Sequence, residues 1–387
     1  TDKKDEELAD RLQANKETLT AEEIEKIVEK TAALKAFQEE PDRPEHLAKI
    51  PLLERSDIRR EIEPIILEER EIEDTKLIYH KIETNGVSYF RLLFDISEVP
   101  AELFAYVGIL KAAIGLVDTQ NYSYQELFTQ TDLLTGGIVP VTNIYPNITN
   151  PSERKITFEI KGKALYPKLD VLFAMMREIL MESKLGDEKR LKEILSMLKT
   201  RLQTSFLSAG HTTAVLRSLS YTSPIARFRD ITSGIGFYEV VKDLEENFEE
   251  RKELLIENLK KIAGRIFRKE NLMLSYTSAQ EGLAVLEKAV PQFADSLHTG
   301  EKESHGQCII HCKKRNEGFR TSSKVQYVAR TGNFIDGGAE YTGALQILKV
   351  ILSYDYLWQN VRVKGGAYGC MSGFNRIGEG YLVSYRD

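Results

Sequence analysis

Near the C-terminus, the run Tyr356-Leu-Trp-Gln-Asn-Val-Arg362-Val-Lys-Gly365-Gly366-Ala367-Tyr368-Gly369-Cys370 gathers residue types that can do chemistry. Arg362 offers a rigid fork of donors and Tyr368 a single phenolic donor, and both suit a peptide carbonyl or an oxyanion. Between them, the Gly365-Gly366 pair permits a positive φ or a close approach of two backbones. The segment reads as a bend in which Gly365, Gly366, Ala367 and Gly369 form a loop that presents Arg362 and Tyr368. On spacing alone, the plainer reading is a helix-to-strand turn with an exposed arginine and a half-buried tyrosine.

Other chemistry is sparse. The six histidines stand at positions 46, 80, 211, 298, 305 and 311, and none has the spacing of a zinc-binding His-x-x-Glu-His helix. His305, Cys308, His311 and Cys312 cluster in sequence, but tetrahedral ligation would need the segment to fold as a knuckle, and the Cys-Ile-Ile-His-Cys core reads as an ordinary strand. The expectation for metal ligands in this chain is therefore none. His211, beside Gly210, reads as a packed or helix-flanking histidine. No Gly-x-Ser-x-Gly elbow, phosphate-binding P-loop or dinucleotide Gly-x-Gly-x-x-Gly is present.

The elements that must position Arg362 and Tyr368 follow from hydrophobic period and breakers. Residues 1–40 read as two Glu/Lys-rich helices, the second capped by Thr20 with Glu23, striped by Ile24, Ile27, Val28, Thr31 and Leu34, and stopped by Pro41. A Pro- and charge-rich connector follows to about residue 73. Strand patterns over 76–83 and 87–96 flank Asn85-Gly86, a hairpin signal. A helix over 101–116, a Thr135-Gly136-Gly137 turn, strands over 139–145 and 155–161, and helices over 166–182, 187–207, 211–219 and 237–268 come next, before a strand over 271–277. After a polar connector at 298–306 the order restarts: strand 324–330, helix 340–358, Lys364-Gly365-Gly366, strand 381–385. This is a weak internal repeat. It divides the chain into 1–73, a helical hairpin with connector; 74–297, a first α+β domain; and 298–387, a second α+β domain expected to be truncated, short of two long helices and about a hundred residues by analogy with the first.

Composition narrows the function. A net charge of −6 with no basic arm argues against nucleic-acid binding. Three cysteines in 387 residues are too few for a disulfide framework and fit a reducing compartment, the cytoplasm or alternatively the mitochondrial matrix or another organelle lumen. The longest nearly apolar run, 103–117, holds Lys111 and is shorter than the ~20 residues of a membrane span, so no membrane partner is expected.

The Tyr-Leu-Trp helix end followed by Arg362-x-x-Gly365-Gly366-Ala367-Tyr368-Gly369 resembles the C-terminal half of the insulinase (pitrilysin) superfamily of zinc metallopeptidases, the inverted zincins, and within it the presequence-protease branch. The resemblance extends over nearly all 387 residues. It implies α+β repeat domains of the LuxS/metallohydrolase-like kind, an antiparallel sheet with helices packed on one face, preceded by a helical hairpin that tethers two halves. It implies a zinc-dependent oligopeptidase that encloses unfolded peptides, with zinc held by an N-terminal catalytic half that is this chain's partner in one polypeptide. By the same resemblance Tyr368 stabilises the oxyanion and Arg362 holds a substrate carbonyl. This chain alone would then be inactive and bind no cofactor. The competing expectation is a non-catalytic insulinase-like structural or peptide-binding module.

Overall fold

The structure is a computed structural model that describes residues 2–147, 149–150, 153–300, 306, 308–322 and 324–386. It divides into two compact units, Thr1–Ile65 and Ile66–Asp387. The first holds α1 (Asp2–Thr18), α2 (Ala21–Glu39) and the short α3 (Pro44–Leu47). At the start of α2, Glu23 N–H donates to Thr20 Oγ1 at 3.3 Å while Thr20 N–H donates to Glu23 Oε2 at 2.8 Å. This reciprocal cap satisfies two backbone donors that the first turn leaves unpaired. The apolar stripe of α2 has no buried member.

The second unit begins with β1 (Glu68–Ile72), β2 (Thr75–Lys81), β3 (Val87–Asp95), α4 (Phe104–Ala113), α5 (Tyr124–Leu134), β4 (Ile138–Pro146) and β5 (Arg154–Leu165). Helices α6 (Leu169–Met181), α7 (Glu188–Ser208), α8 (Gly210–Leu219), α9 (Pro224–Ser233), α10 (Ile235–Glu246) and α11 (Phe248–Ile266) follow, then β6 (Leu272–Ser278) and α12 (Gln280–Asp295). The six strands form one sheet in the order β1-β2-β6-β3-β5-β4, antiparallel except for the β2–β6 pair. Along β3, Phe90, Leu92 and Phe94 are buried while Tyr89 and Arg91 are exposed. That alternation gives the sheet one core face and one open face. Helices α4, α6 and α12 pack on strands of the sheet, and Phe94 and Phe158 both meet Phe267 edge-on at 5.4 and 5.5 Å. This is the α+β architecture expected from the sequence.

Three local expectations are corrected. Asn85-Gly86 does turn the chain, with φ of 50° and 80°, but β2 and β3 do not pair, because β6 lies between them and bonds to both. A five-residue connection from Ile82 to Gly86 leaves room for the inserted strand. The helix expected over 237–268 is two helices, α10 and α11, separated at Asn247, whose side chain turns back to donate to the Asp243 carbonyl. The strand expected at Cys308–Cys312 has no regular secondary structure; the segment is held to the domain by Cys308 N–H donating to Ser97 O at 2.8 Å and by the buried Ile310. It finds no neighbouring strand edge to pair with among the described residues. His305 lies outside them.

The last part of the chain contributes β7 (Gln326–Asn333), α13 (Ala344–Ile351), a π-helix over Leu352–Val363, β8 (Gly369–Phe374) and β9 (Glu379–Arg386). These strands form a separate antiparallel sheet, ordered β7-β9-β8. It rests on α8. Gly210 at the start of α8 leaves the space that the Tyr327 ring fills, Ser218 and Thr331 hydroxyls bond at 2.7 Å, and the Ser223 hydroxyl, N-cap of α9, donates to the buried Glu379 carboxylate.

Candidate functional site

The site segment is the passage from the π-helix into β8. In a π-helix the hydrogen bonds reach one residue further than in an α-helix, and such stretches recur at functional sites. Its closure is widened to match. Gly366 N–H donates to Arg362 O at 2.9 Å and Ala367 N–H to Val361 O at 3.1 Å, a cap of the Schellman kind stretched by one residue. Gly366 has φ of 70°, the left-handed conformation that such a cap requires. At Gly365 a Cβ would stand 2.5 Å from the Val361 carbonyl oxygen, so this position admits no side chain without moving the helix end.

The loop is fastened from β9. Arg386 donates from Nη1 to Gly365 O at 3.1 Å, and Tyr368 N–H donates to Tyr385 O at 2.8 Å. Gly369 faces Tyr385 across the strands, and a Cβ on it would lie 2.5 Å from that ring's hydroxyl oxygen. The Tyr385 ring therefore lies against bare backbone. On its other side His211 of α8 stacks on it, with centroids 5.5 Å apart and planes 29° apart. His211 is thus packed, as its sequence context suggested, and it links the first sheet's helices to the strand next to Tyr368.

The two side chains with donors remain outside this packing. Tyr368 is 61% exposed, and Arg362 is exposed with its guanidinium 3.9 Å from the centroid of the Trp358 ring. Neither side chain makes a hydrogen bond or ion pair among the described residues. Arg362 stacks on Trp358, and no ring contact joins it to Tyr368. The stack fixes the plane of the guanidinium and leaves its N–H edges free for a planar acceptor. Burial raises the Cys370 thiol pKa, and the Arg362 charge partly offsets this. Arg386, Tyr385 and the Trp358 stack were not singled out as functional from the sequence. A signal existed for one of them: Tyr381 and Tyr385 repeat at a spacing of four, matching Gly373 and Gly369 opposite.

A second cluster ties the helices under the three-stranded sheet to the connector before it. Arg217, 4% exposed on α8, donates from Nη1 to Asp230 Oδ2 at 2.8 Å and bidentately to Glu317 at 2.8 and 3.1 Å. Asp230 is completely buried and also accepts from Gly236 N–H at 3.1 Å. The hydrogen bonds from Arg217 hold the Glu317 carboxyl down at about 2, with Tyr221 and Arg315 contributing. Burial, reinforced by its bond to Glu317, pushes the Tyr221 phenol up to about 12. Among the described residues no group of three His, Cys, Asp or Glu side chains could hold a metal ion, and no helix is long and apolar enough to cross a membrane.

Comparison with known proteins gives the family and the fold. The family of peptidase M16-C associated segments matches residues 1–244, and the PreP C-terminal domain matches residues 316–387. The chain is 34% identical to protein HypA of Clostridium perfringens over 388 residues, covering 100% of this chain and 39% of that one. It is 27% identical to presequence protease 1, chloroplastic/mitochondrial, of Arabidopsis thaliana, over 97% of this chain and 35% of that one. The crystal structure of a conserved protein from Enterococcus faecalis V583 shares the fold with a TM-score of 0.56 at 14% identity, over 83% of this chain and 76% of that one. The chain thus spans less than two fifths of the length of these two curated relatives. It belongs to the peptidase M16-C associated family and corresponds to the C-terminal region of presequence-protease-like M16 peptidases.

Proposed function

We propose that this chain is the C-terminal half of a zinc-dependent oligopeptidase that encloses and hydrolyses unfolded peptides. The observation that carries the reading is the exposed pair Arg362 and Tyr368 on a capped, cross-braced turn, with donors that the described residues leave unused. Zinc would polarise the scissile carbonyl and its bound water from the N-terminal half of the same polypeptide. No residue set in this chain is assigned to it. What this chain supplies is charge stabilisation: the Tyr368 hydroxyl donates to the carbonyl oxygen as negative charge grows there, and Arg362 holds a neighbouring substrate carbonyl. Donors aimed in advance need no reorganisation when the charge develops, which is why such contacts weigh heavily in rate. The chloroplastic/mitochondrial Arabidopsis relative supports an organelle lumen over the cytoplasm as the compartment.

The test is hydrolysis of an unfolded peptide by the whole protein, with and without a zinc chelator. Cleavage that the chelator abolishes and added zinc restores supports the reading. A preparation that holds zinc and binds peptide without cleaving it points instead to the non-catalytic module.

A further inference from the structure

The open face of the six-stranded sheet carries a groove of about 850 Å³, within the ~300–1,000 Å³ range of ligand clefts. Its floor is two rows of side chains across four strands. Register places Thr277, Tyr89 and Lys163 in one row, and Ser275, Arg91, Lys161 and Val139 in the next. Arg91 and Lys161 are thus directly opposed on neighbouring strands, an arrangement of like charges that costs stability. Arg91 has an offset, because the fully buried Glu159 lies 3.5 Å away, with its other oxygen taken by Tyr145 and Thr157. Lys155, further along β5, has Asp95 at 3.6 Å. Lys161 and Lys163 have no carboxylate partner among the described residues. The one exposed acid in the lining, Glu83, accepts the Asn85 N–H within its own turn at 3.1 Å.

Two turns line the groove, residues 82–85 and Gly136-Gly137. Both sit at the same end of the sheet, because β3 and β4 run the same way on either side of β5. Lys163 reaches the groove by laying its stem over Gly136, where a Cβ would stand 2.5 Å from Lys163 Cγ. Within those rows Tyr89 on β3 and Val139 on β4, 48 and 53% exposed, flank the β5 lysines with apolar surface, and Ile82, 46% exposed, adds to it from its turn. Cations in the floor, apolar surface beside them and an end flanked by turns fit a chain that stops there. We propose that this groove is a subsite for the C-terminal end of a peptide, its α-carboxylate between Lys161 and Lys163 and its last side chain against Tyr89, on the neighbouring strand β3. The proposal rests on the peptidase reading, which brings peptides to this chain.

The experiment uses the whole protein with zinc removed, so that binding is read without turnover. Fluorescence anisotropy compares a labelled peptide with an apolar last residue, carrying a free C-terminal carboxylate, with its C-terminal amide. The free acid should bind about tenfold tighter, the scale of one charge-assisted contact, and the Lys161→Gln, Lys163→Gln double variant should erase the difference. Gly136→Ala, which displaces the Lys163 stem and keeps its charge, should weaken the preference part of the way. Equal binding of acid and amide, or a preference that survives in a folded double variant, overturns the proposal. So does an amidated peptide ending in Asp that binds as tightly as the free acid, since the subsite would then read side chains. Loss of the peptidase reading shows elsewhere, as zinc-loaded protein that cleaves neither peptide.

Discussion

Tyr385 holds Tyr368 in two ways: its carbonyl accepts the Tyr368 N–H at 2.8 Å, and its ring lies against Gly369, the next residue. The exposed phenol of Tyr368 is thereby mounted on backbone that cannot slide along β9. Gly369→Ala would place a methyl 2.5 Å from the Tyr385 hydroxyl oxygen and force the ring or the strand to move. Overpacking of this kind costs about 1–3 kcal/mol in stability. If Tyr368 acts in the transition state as proposed, kcat of the whole protein should fall more than KM rises. Chemical denaturation beside Michaelis kinetics checks both halves, and an unchanged kcat would separate this brace from the chemistry.

Tyr368→Phe removes one hydroxyl that makes no hydrogen bond among the described residues. Its effect on folding should stay within about 0.5 kcal/mol, as for an unengaged surface group. Turnover should drop by ~10²–10³, the usual loss on deleting one oxyanion donor. Zinc content, measured by elemental analysis, should not change. Wild-type turnover in the variant would remove Tyr368 from the mechanism.

Arg362→Lys keeps the charge and loses both the planar fork and the flat stack on Trp358. The stack at an exposed site is worth about 0.5–1 kcal/mol. Trp358→Leu should therefore act in the same direction as Arg362→Lys and more weakly, lowering kcat/KM for peptides by several-fold. If the two changes act through one arrangement, the double variant should lose less than the sum of the singles. A double-mutant cycle on kcat/KM measures this, and strict additivity would show that Trp358 does not aim the arginine.

How much of this was legible beforehand depends on how local each interaction is. The cap at Thr20, the glycine pair after the helix and the helix over 187–207 are set within a few residues, and each was readable as a pattern. Asn85-Gly86 shows the limit: the turn is local, but the partner that separates β2 from β3 comes from nearly two hundred residues later. Helix α9 carried a readable start in Ser223-Pro224, which its short, mixed sequence concealed. The loop glycines could be assigned a role from their type, and the Tyr381 and Tyr385 spacing offered a hint, whereas the use that Tyr385 and Arg386 make of the space above the glycines shows only once β8 and β9 are paired.

The Arg217, Asp230 and Glu317 cluster gives stability a pH dependence with a defined sign. Glu317 falls from 4.5 to about 2 on folding, chiefly through the bonds from Arg217. A carboxyl whose pKa is depressed in the folded state contributes stability fully above its unfolded value, and loses it as pH falls towards the folded one. The window is therefore from pH 4.5 down to 2, and the contribution is about 3 kcal/mol at most. Glu317→Gln should flatten the urea midpoint across that window and lower it at neutral pH, because the buried Arg217 then keeps Asp230 at 2.8 Å and only the exposed Glu239 at 3.9 Å beside it. Arg217→Met should cost more, since it leaves Asp230 buried with the partly exposed Arg227 at 3.1 Å as its one cationic partner among the described residues. A urea midpoint that declines from pH 4.5 to 2 equally in wild type and Glu317→Gln would assign the acid sensitivity to other carboxylates. A decline confined to the wild type would establish that the Glu317 clamp joins the connector to the helices that carry the Tyr368 sheet.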